Sequence, residues 1–356
     1  AFHQRARDLL DDIEDLQGMF RRDTTQLRGR LRVDMSSGLA RTLVIPHLPG
    51  FLAQHPGLDI ELSGTDRRVD LVREGFDCVL RVGPLSDPGA YGGDPADALD
   101  VIVPSLPGFG FSTPLRKTGM NFWRTSGLWV ELMDRLGYTS FGAHGADWGA
   151  LVSADLGHRY PDHLTGVHLA MSLPLDVFSG GMPSPEDYDA GEAPMAERLQ
   201  SFFATETVYS ALQCTKPQSI AAALNDSPVG LASWIVEKQR SWSDCDGDVE
   251  TRFSKDDLLS TIMIYWLTHS FGTSARYYYE AAHHPWTPAH DRRPVVEVPV
   301  GISVLPKEIC STPRRWTERY YNLQQIRHHC SGGHFAAWEE PHGIVVDLRD
   351  FFRKLT

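Results

Sequence analysis

The chain has 356 residues, a net charge of −12 and 42% hydrophobic residues, and these values exclude wholesale disorder. The length suggests two or three domains. The acidic balance disfavours a nucleic-acid partner, because phosphate recognition depends on clustered Lys and Arg. No apolar run reaches the roughly 20 residues that span a bilayer, so we expect no membrane anchor.

The cysteines are odd in number and widely spaced, without a Cys-x-x-Cys pair. This pattern predicts free thiols and neither a disulfide framework nor a zinc site. The N-terminus does not resemble a secretory signal, which favours a cytoplasmic location. The residues concerned are Cys78, Cys214, Cys245, Cys310 and Cys330.

The first ninety residues alternate between strand and helix patterns. Such β-α-β alternation predicts a parallel α/β layer. The predicted strands are Leu31–Met35, Asp59–Ser63 and Cys78–Val82, and the predicted helices cover residues 4–22, 39–54 and 68–74.

Three segments of this region resemble LysR-type transcription regulators: Arg28–Asp34, Ile45–Leu52 and Asp66–Gly75. The resemblance covers about residues 1–86 and implies a linker helix and part of an effector-binding domain. The helix-turn-helix of that family would lie upstream of Ala1, so we expect no DNA binding. A stretch rich in Gly, Pro and Asp over residues 84–97 follows and predicts a linker.

Beyond the linker, the sequence predicts a strand-turn-helix unit with an acid at its centre. Asp100–Pro104 is predicted to be a short strand. Gly145-Ala146-Asp147-Trp148-Gly149 then follows an apolar segment and precedes a helix, which is the pattern of a nucleophile elbow with Asp in place of Ser. The backbone N–H of Trp148, at the helix start, is the expected oxyanion donor. The alternative is an Asp that only caps a helix.

Two later residues complete a catalytic triad pattern. Glu308 ends the apolar strand that begins near Val298, and His334 lies in a glycine turn, Ser331–Glu339. The chain order of nucleophile, acid and histidine is that of α/β-hydrolases. Each residue follows a predicted strand, where open α/β sheets place their ligands.

An Asp nucleophile restricts the reactions that the chain could catalyse. Its attack on a carbonyl would give a labile anhydride, whereas attack on an electrophilic sp³ carbon gives an ester that water activated by His can cleave. Both epoxide opening and halide displacement from a haloalkane fit this chemistry.

The insertion between the elbow and Glu308 carries further motifs, among them Glu206–Pro217, Leu224–Ala232 and Ser274–Glu280. With the elbow and the Gly-Gly-His-Phe turn, these closely resemble microsomal-type epoxide hydrolases, from about residue 98 to the C-terminus. The resemblance implies Asp147 as nucleophile, His334 as base, Glu308 as its orienting acid, and Tyr209 and Tyr278 as phenols that protonate the epoxide oxygen. Both neighbours of Tyr278 are also tyrosines. The implied mechanism uses no metal and no organic cofactor.

The expected fold is therefore an α/β-hydrolase with a helical lid, whose N-terminal part is replaced by a LysR-like segment. We expect domains at residues 1–88, 89–171, 172–288 and 289–356. We expect a pocket for a small-molecule epoxide, lined by Phe109, Trp338 and the ring of Trp148. The sequence is also compatible with a homo-oligomer. The alternatives are a catalytically impaired effector-binding module and a haloalkane dehalogenase.

One family feature is missing from the sequence. Epoxide hydrolases of this type carry a His-Gly-x-Pro turn that completes the oxyanion hole. His47-Leu48-Pro49-Gly50 is superficially similar but lies in the LysR-like part. We therefore expect a weakened oxyanion hole.

Overall fold

A computed structural model of the chain describes residues 28–35, 44–46, 48–54, 56–64, 78–80 and 83–355. The chain divides into two units, Ala1–Val101 and Ile102–Thr356. Each unit has its own parallel sheet. The helices predicted over residues 4–22 and 68–74 lie outside the described residues.

The first unit contains a three-stranded parallel sheet with the order β2-β1-β3. All three predicted strands are present. Val33 is buried among Leu31, Val44, Ile60 and Leu62, which gives the sheet a small apolar core. Elements of this unit are β1 (Arg28–Met35), α1 (Leu48–Gln54), β2 (Gly57–Gly64) and β3 (Cys78–Leu80).

The second unit is built on a four-stranded parallel sheet with the order β4-β5-β6-β7. The central strands β5 and β6 are mostly buried, as expected for a parallel sheet covered on both faces. The predicted α/β class is confirmed. The strands are β4 (Phe141–Gly145), β5 (Leu164–Leu169), β6 (Val296–Val304) and β7 (Tyr321–His328).

Helices cover both faces of this sheet. Gly157 of α3 packs on Val167 of β5, whereas Phe351 of α12 packs near Gly166, the residue before it. Because successive strand residues point to opposite faces, α3 and α12 lie on opposite sides of the sheet. The helices outside the lid are α2 (Phe122–Arg135), α3 (Trp148–Arg159), α10 (Arg314–Tyr320), α11 (Ala336–Glu339) and α12 (Pro341–Phe352).

The insertion between β5 and β6 folds into six helices. We call these helices the lid. A second apolar cluster, centred on Leu231 and Ala275, joins the last four of these helices. The lid helices are α4 (Ala193–Thr205), α5 (Val208–Thr215), α6 (Pro217–Leu224), α7 (Pro228–Trp242), α8 (Lys255–Thr268) and α9 (Phe271–His283).

The strand predicted at Asp100–Pro104 is wrong. These residues form no regular structure, and Val101 and Val103 are 47% and 86% exposed. An apolar run becomes a strand only where a neighbouring strand accepts and donates its backbone hydrogen bonds. In the described part of the chain, β4 pairs with β5 and no other strand, so residues 100–104 are offered no such partner.

No helix among the described residues is both long and apolar enough to cross a membrane. The predicted linker at residues 84–97 contains two short 3₁₀ helices, Pro88–Tyr91 and Pro95–Asp97, each capped by an Asp side chain.

Candidate active site

Asp147 stands at the sharp turn between β4 and α3. Its backbone has φ 49° and ψ −126°, in the left-handed region that favours glycine. A Cβ at Gly145 would lie 2.1 Å from the Gly149 carbonyl, so the turn closes only with glycine at position 145. The backbone N–H of Trp148 donates to Asp147 Oδ1 at 2.5 Å. The turn thus lifts the carboxylate above the sheet, next to the N-terminus of α3.

Glu308 and His334 meet Asp147 at the carboxyl ends of β6 and β7. His334 Nε2 lies 3.0 Å from Asp147 Oδ2, and His334 Nδ1 lies 2.9 Å from Glu308 Oε1. Glu308 and His334 are 2% and 5% exposed. The imidazole ring is therefore held between two carboxylates, one of which is almost inaccessible to water.

The charges around His334 govern its protonation. Burial opposes a charge on the ring, but the carboxylates of Glu308 and Asp147 outweigh it and raise the pKa of His334 to about 10. At neutral pH, His334 therefore holds its proton against the Asp147 carboxylate.

Two lid tyrosines face the nucleophile. Tyr209 of α5 and Tyr278 of α9 have ring centroids 5.9 Å apart, and both line the cavity that contains Asp147. Burial raises the pKa of each phenol far above its ordinary value, and the Asp147 charge raises it further. Both phenols therefore keep their protons and can donate hydrogen bonds.

The three consecutive tyrosines of α9 point in different directions. The Tyr277 hydroxyl lies 2.8 Å from Thr125 Oγ1, buried in the core. Tyr279 stacks on the His283 ring at 3.9 Å. Of the three, Tyr278 alone lines the Asp147 cavity.

Comparison with known proteins identifies the two parts of the chain. Residues 93–304 match the family model described as "alpha/beta hydrolase fold". The chain belongs to the α/β-hydrolase fold family. Residues 24–92 match the "LysR substrate binding domain", and an 89-residue stretch is 46% identical to an uncharacterised HTH-type transcriptional regulator of Escherichia coli, covering 25% of this chain and 30% of the regulator.

The chain resembles epoxide hydrolases over three-quarters of its length. It is 43% identical to a "Putative epoxide hydrolase" of Stigmatella aurantiaca, over 76% of this chain and 60% of that protein. It is 37% identical to "Epoxide hydrolase 1" of Oryctolagus cuniculus, over 75% of this chain and 63% of that protein. The matched region thus spans about three-fifths of the length of these curated relatives.

A solved structure agrees on the fold. Juvenile hormone epoxide hydrolase from Bombyx mori superposes with a TM-score of 0.61 at 24% identity, covering 94% of this chain and 74% of that one.

The cavity above Asp147 has a volume of about 400 Å³ and a mostly apolar lining. The Trp148 ring is part of this lining and stacks on Phe178 with centroids 5.3 Å apart. The remaining lining residues come from the core and the lid: Leu151, Met171, Leu173, Val177, Phe202, Phe203, Thr207, Ser210, Ala211, Cys214, Ile309 and Cys310.

Two expected pocket residues lie elsewhere. Trp338 is half exposed and its ring stacks on Phe253. Phe109 packs edge-on against the buried Tyr277 ring, so it supports the core and is not among the residues that line the cavity. Proximity to a catalytic motif in sequence does not determine where an aromatic ring points.

Sequence analysis missed Trp242, at the end of α7. Its carbonyl accepts the His334 backbone N–H at 2.9 Å, and its ring packs against the His334 ring at 5.3 Å and 87°. Trp242 lies in no motif, so the sequence carried no signal for this contact. The hydrolase has no group of three or more His, Cys, Asp or Glu side chains suited to a metal ion within the residues that the structure describes.

Proposed function

We propose that this hydrolase adds water to an epoxide, giving a vicinal diol through a covalent ester on Asp147. The observation that carries this proposal is the contact of Asp147 with the His334–Glu308 pair beneath two protonated lid phenols. The similarity to epoxide hydrolases over three-quarters of the chain supports it.

In the first step, a carboxylate oxygen of Asp147 attacks an epoxide carbon and the carbon–oxygen bond of the ring breaks. Tyr209 and Tyr278 donate hydrogen bonds to the departing oxygen. One of the two phenols transfers its proton to that oxygen, which becomes a hydroxyl group, and the phenol regains a proton from solvent. Because burial keeps both phenols protonated, they are suited to an acceptor as basic as an alkoxide.

In the second step, His334 takes a proton from water, and the resulting hydroxide attacks the ester carbonyl. Alkylation turns Asp147 into a neutral ester and so removes one of the two anions that hold the proton on His334. The loss of that charge lowers the His334 pKa, so the ring releases its proton to solvent and can then act as a base. The N–H of Trp148, already directed at Asp147 Oδ1, stabilises the tetrahedral oxyanion. Collapse of this intermediate breaks the bond between the carbonyl carbon and the substrate oxygen. That oxygen takes a proton from His334 and becomes the second hydroxyl group of the diol, and the Asp147 carboxyl group gives its proton to the ring and returns to a carboxylate.

The cavity favours apolar epoxides. Its lining is dominated by aliphatic and aromatic side chains, and its polar groups converge on the reacting atoms. A cytoplasmic location is also proposed; it is supported by free thiols at Cys214, Cys245, Cys310 and Cys330, which a reducing compartment maintains.

Incubation with a panel of aryl and terpene epoxides tests the proposal, with diol formation and intact protein mass both followed. We expect diol from the wild type and a transient adduct at Asp147. Asp147→Asn, which keeps the shape of the side chain and removes the charge, should give neither. A folded wild-type protein that forms no diol and no adduct would contradict the proposal, and halide release from bromoalkanes would point to dehalogenation instead.

A further inference from the structure

One carboxylate outside the triad binds the loop that carries His334. Glu339, at the end of α11, is 8% exposed. Its Oε2 accepts the Gly333 N–H at 3.0 Å and the Asp244 N–H at 2.7 Å. Its Oε1 accepts the Phe335 N–H at 3.1 Å. The two amides that flank His334 are thus both bonded to the same side chain.

The neighbouring amides of the loop are bonded to the lid. The Gly332 N–H donates to Asp244 Oδ2 at 3.0 Å, and the His334 N–H donates to the Trp242 carbonyl. Four consecutive amides, of residues 332–335, are therefore held by Glu339, by the last residue of α7 or by Asp244 just after it. A Cβ at Gly333 would lie 2.6 Å from the Trp242 carbonyl oxygen, which shows how closely the loop and the lid approach.

Among the described residues, no cationic side chain pairs with Glu339. Its carboxylate oxygens accept hydrogen bonds from backbone N–H groups instead. Hydrogen bonds from N–H groups to a carboxylate are short and about twice as strong as neutral ones. A buried carboxylate with three amide donors can therefore fix the backbone on both sides of His334.

We propose that Glu339 is a positioning residue that holds the His334 ring between Glu308 and Asp147 and links the His334 loop to the lid. This inference rests on the proposed function for its kinetic consequence. His334 acts only in hydrolysis of the ester, whereas Asp147 and the lid tyrosines carry out alkylation. A displaced His334 therefore slows the second step and leaves the first intact.

Glu339→Gln is the variant that tests this. A carboxamide offers one oxygen and one N–H₂ group to three N–H donors, so at least one amide beside His334 loses its acceptor. Misplacement of a catalytic group by about 1 Å can cost on the order of 100-fold. We expect decay of the Asp147 adduct to slow by about 10- to 100-fold, while the rate of alkylation stays close to that of the wild type.

Glu340→Gln is the matched control. Glu340 is the next residue, but its Oε1 accepts the Ser331 hydroxyl and it bonds to none of the amides of residues 332–335. Rapid quenching of single turnovers with styrene oxide, followed by intact-protein mass spectrometry, gives both rates. Asp244→Ala removes the acceptor of the Gly332 N–H and should slow adduct decay in the same way, which provides a second variant if Glu339→Gln does not fold.

A purely structural role would lower both rates together, and that result, or an unchanged decay rate, would overturn the inference. NMR titration of the His334 ring needs no substrate. A ring displaced from its carboxylates should titrate below the wild-type pKa of about 10 in Glu339→Gln, and an unchanged titration would overturn the inference. A wild type that forms no adduct would instead overturn the proposed function, so the two failures are distinguishable.

Discussion

Tyr278 and Tyr277 are adjacent in sequence but have different surroundings, and this difference can be measured. Tyr278 lines the Asp147 cavity, whereas the Tyr277 hydroxyl is bonded to Thr125 in the core. We expect Tyr278→Phe to slow alkylation by about 10- to 100-fold, because one of two donors to the departing oxygen is lost. Tyr277→Phe should leave alkylation nearly unchanged and lower the free energy of unfolding by about 1 kcal/mol.

Stopped-flow Trp fluorescence would follow alkylation, since Trp148 adjoins Asp147 in the chain and its ring packs on Tyr278 at 4.7 Å. Urea unfolding would give the stability of each variant. If Tyr277→Phe slowed alkylation as much as Tyr278→Phe, the assignment of the two hydroxyls would be wrong.

At the level of residues, the sequence located the groups but not all of their contacts. Asp147, Glu308 and His334 could be found because nucleophile, acid and histidine follow strands in a fixed order. Tyr278 could be singled out only by motif, since helical phase alone does not tell which of three tyrosines faces a cavity. Trp242 and Glu339 escaped notice because they act through backbone hydrogen bonds, which depend on the folded path of the chain.

At the level of elements, the β4–α3 turn depends on its two glycines unequally. A Cβ at Gly145 would lie 2.1 Å from the backbone of Gly149, whereas a Cβ at Gly149 would meet nothing within 4 Å. We expect Gly145→Ala to lower the free energy of unfolding by about 2–4 kcal/mol, because either the strand or the helix must move. Gly149→Ala should raise it by up to about 1 kcal/mol, the difference in helix propensity.

Chemical unfolding in urea, followed by far-UV circular dichroism, compares the two substitutions. Equal losses of stability in both variants would show that the helix does not approach the strand as closely as described. The elbow pattern predicts glycine at both positions and does not distinguish between them. The packing of α3 on β4 shows that only position 145 requires glycine.

The failed strand at Asp100–Pro104 belongs to the same scale. Its apolar residues satisfied a local pattern, whereas a strand requires a partner distant in sequence. The strands β4 and β6 were predictable because β4 leads into the glycines of the elbow and β6 is an apolar run that ends near Glu308. The hydrophobic pattern of a segment indicates which face is buried, but strand pairing depends on the assembled sheet.

At the level of the whole molecule, two family matches meet between residues 92 and 93. This junction lies inside the Gly- and Pro-rich stretch at residues 84–97. It supports, as a proposal, a boundary between the segments 1–88 and 89–171. The boundary between the two structural units lies further along the chain, between Val101 and Ile102.

Two buried histidines of the second unit make its stability depend on pH in opposite directions. His168, on β5, has no exposed surface; burial lowers its pKa well below 6.5, and His144 and His329 lower it further. Below pH 6.5, His168 therefore binds a proton in the unfolded chain but not in the folded chain, and the free energy of unfolding decreases as the pH falls. The His334 pKa is raised to about 10, so its contribution is complete below pH 6.5 and is lost as pH rises to 10.

We therefore expect the free energy of unfolding to be largest near neutral pH. His168 should make it fall toward acidic pH and His334 toward alkaline pH, each by up to about 1.4 kcal/mol per pH unit. Urea unfolding between pH 5 and pH 9 would measure both limbs. His168→Asn should flatten the acid limb, and His334→Gln the alkaline limb, whereas His342→Asn, at an exposed position, should alter neither. The slopes are compared and not the absolute stabilities, because His168→Asn also disturbs the contact with Ser303. An acid limb that keeps its full slope in His168→Asn would show that other groups, such as His158, take up the protons instead.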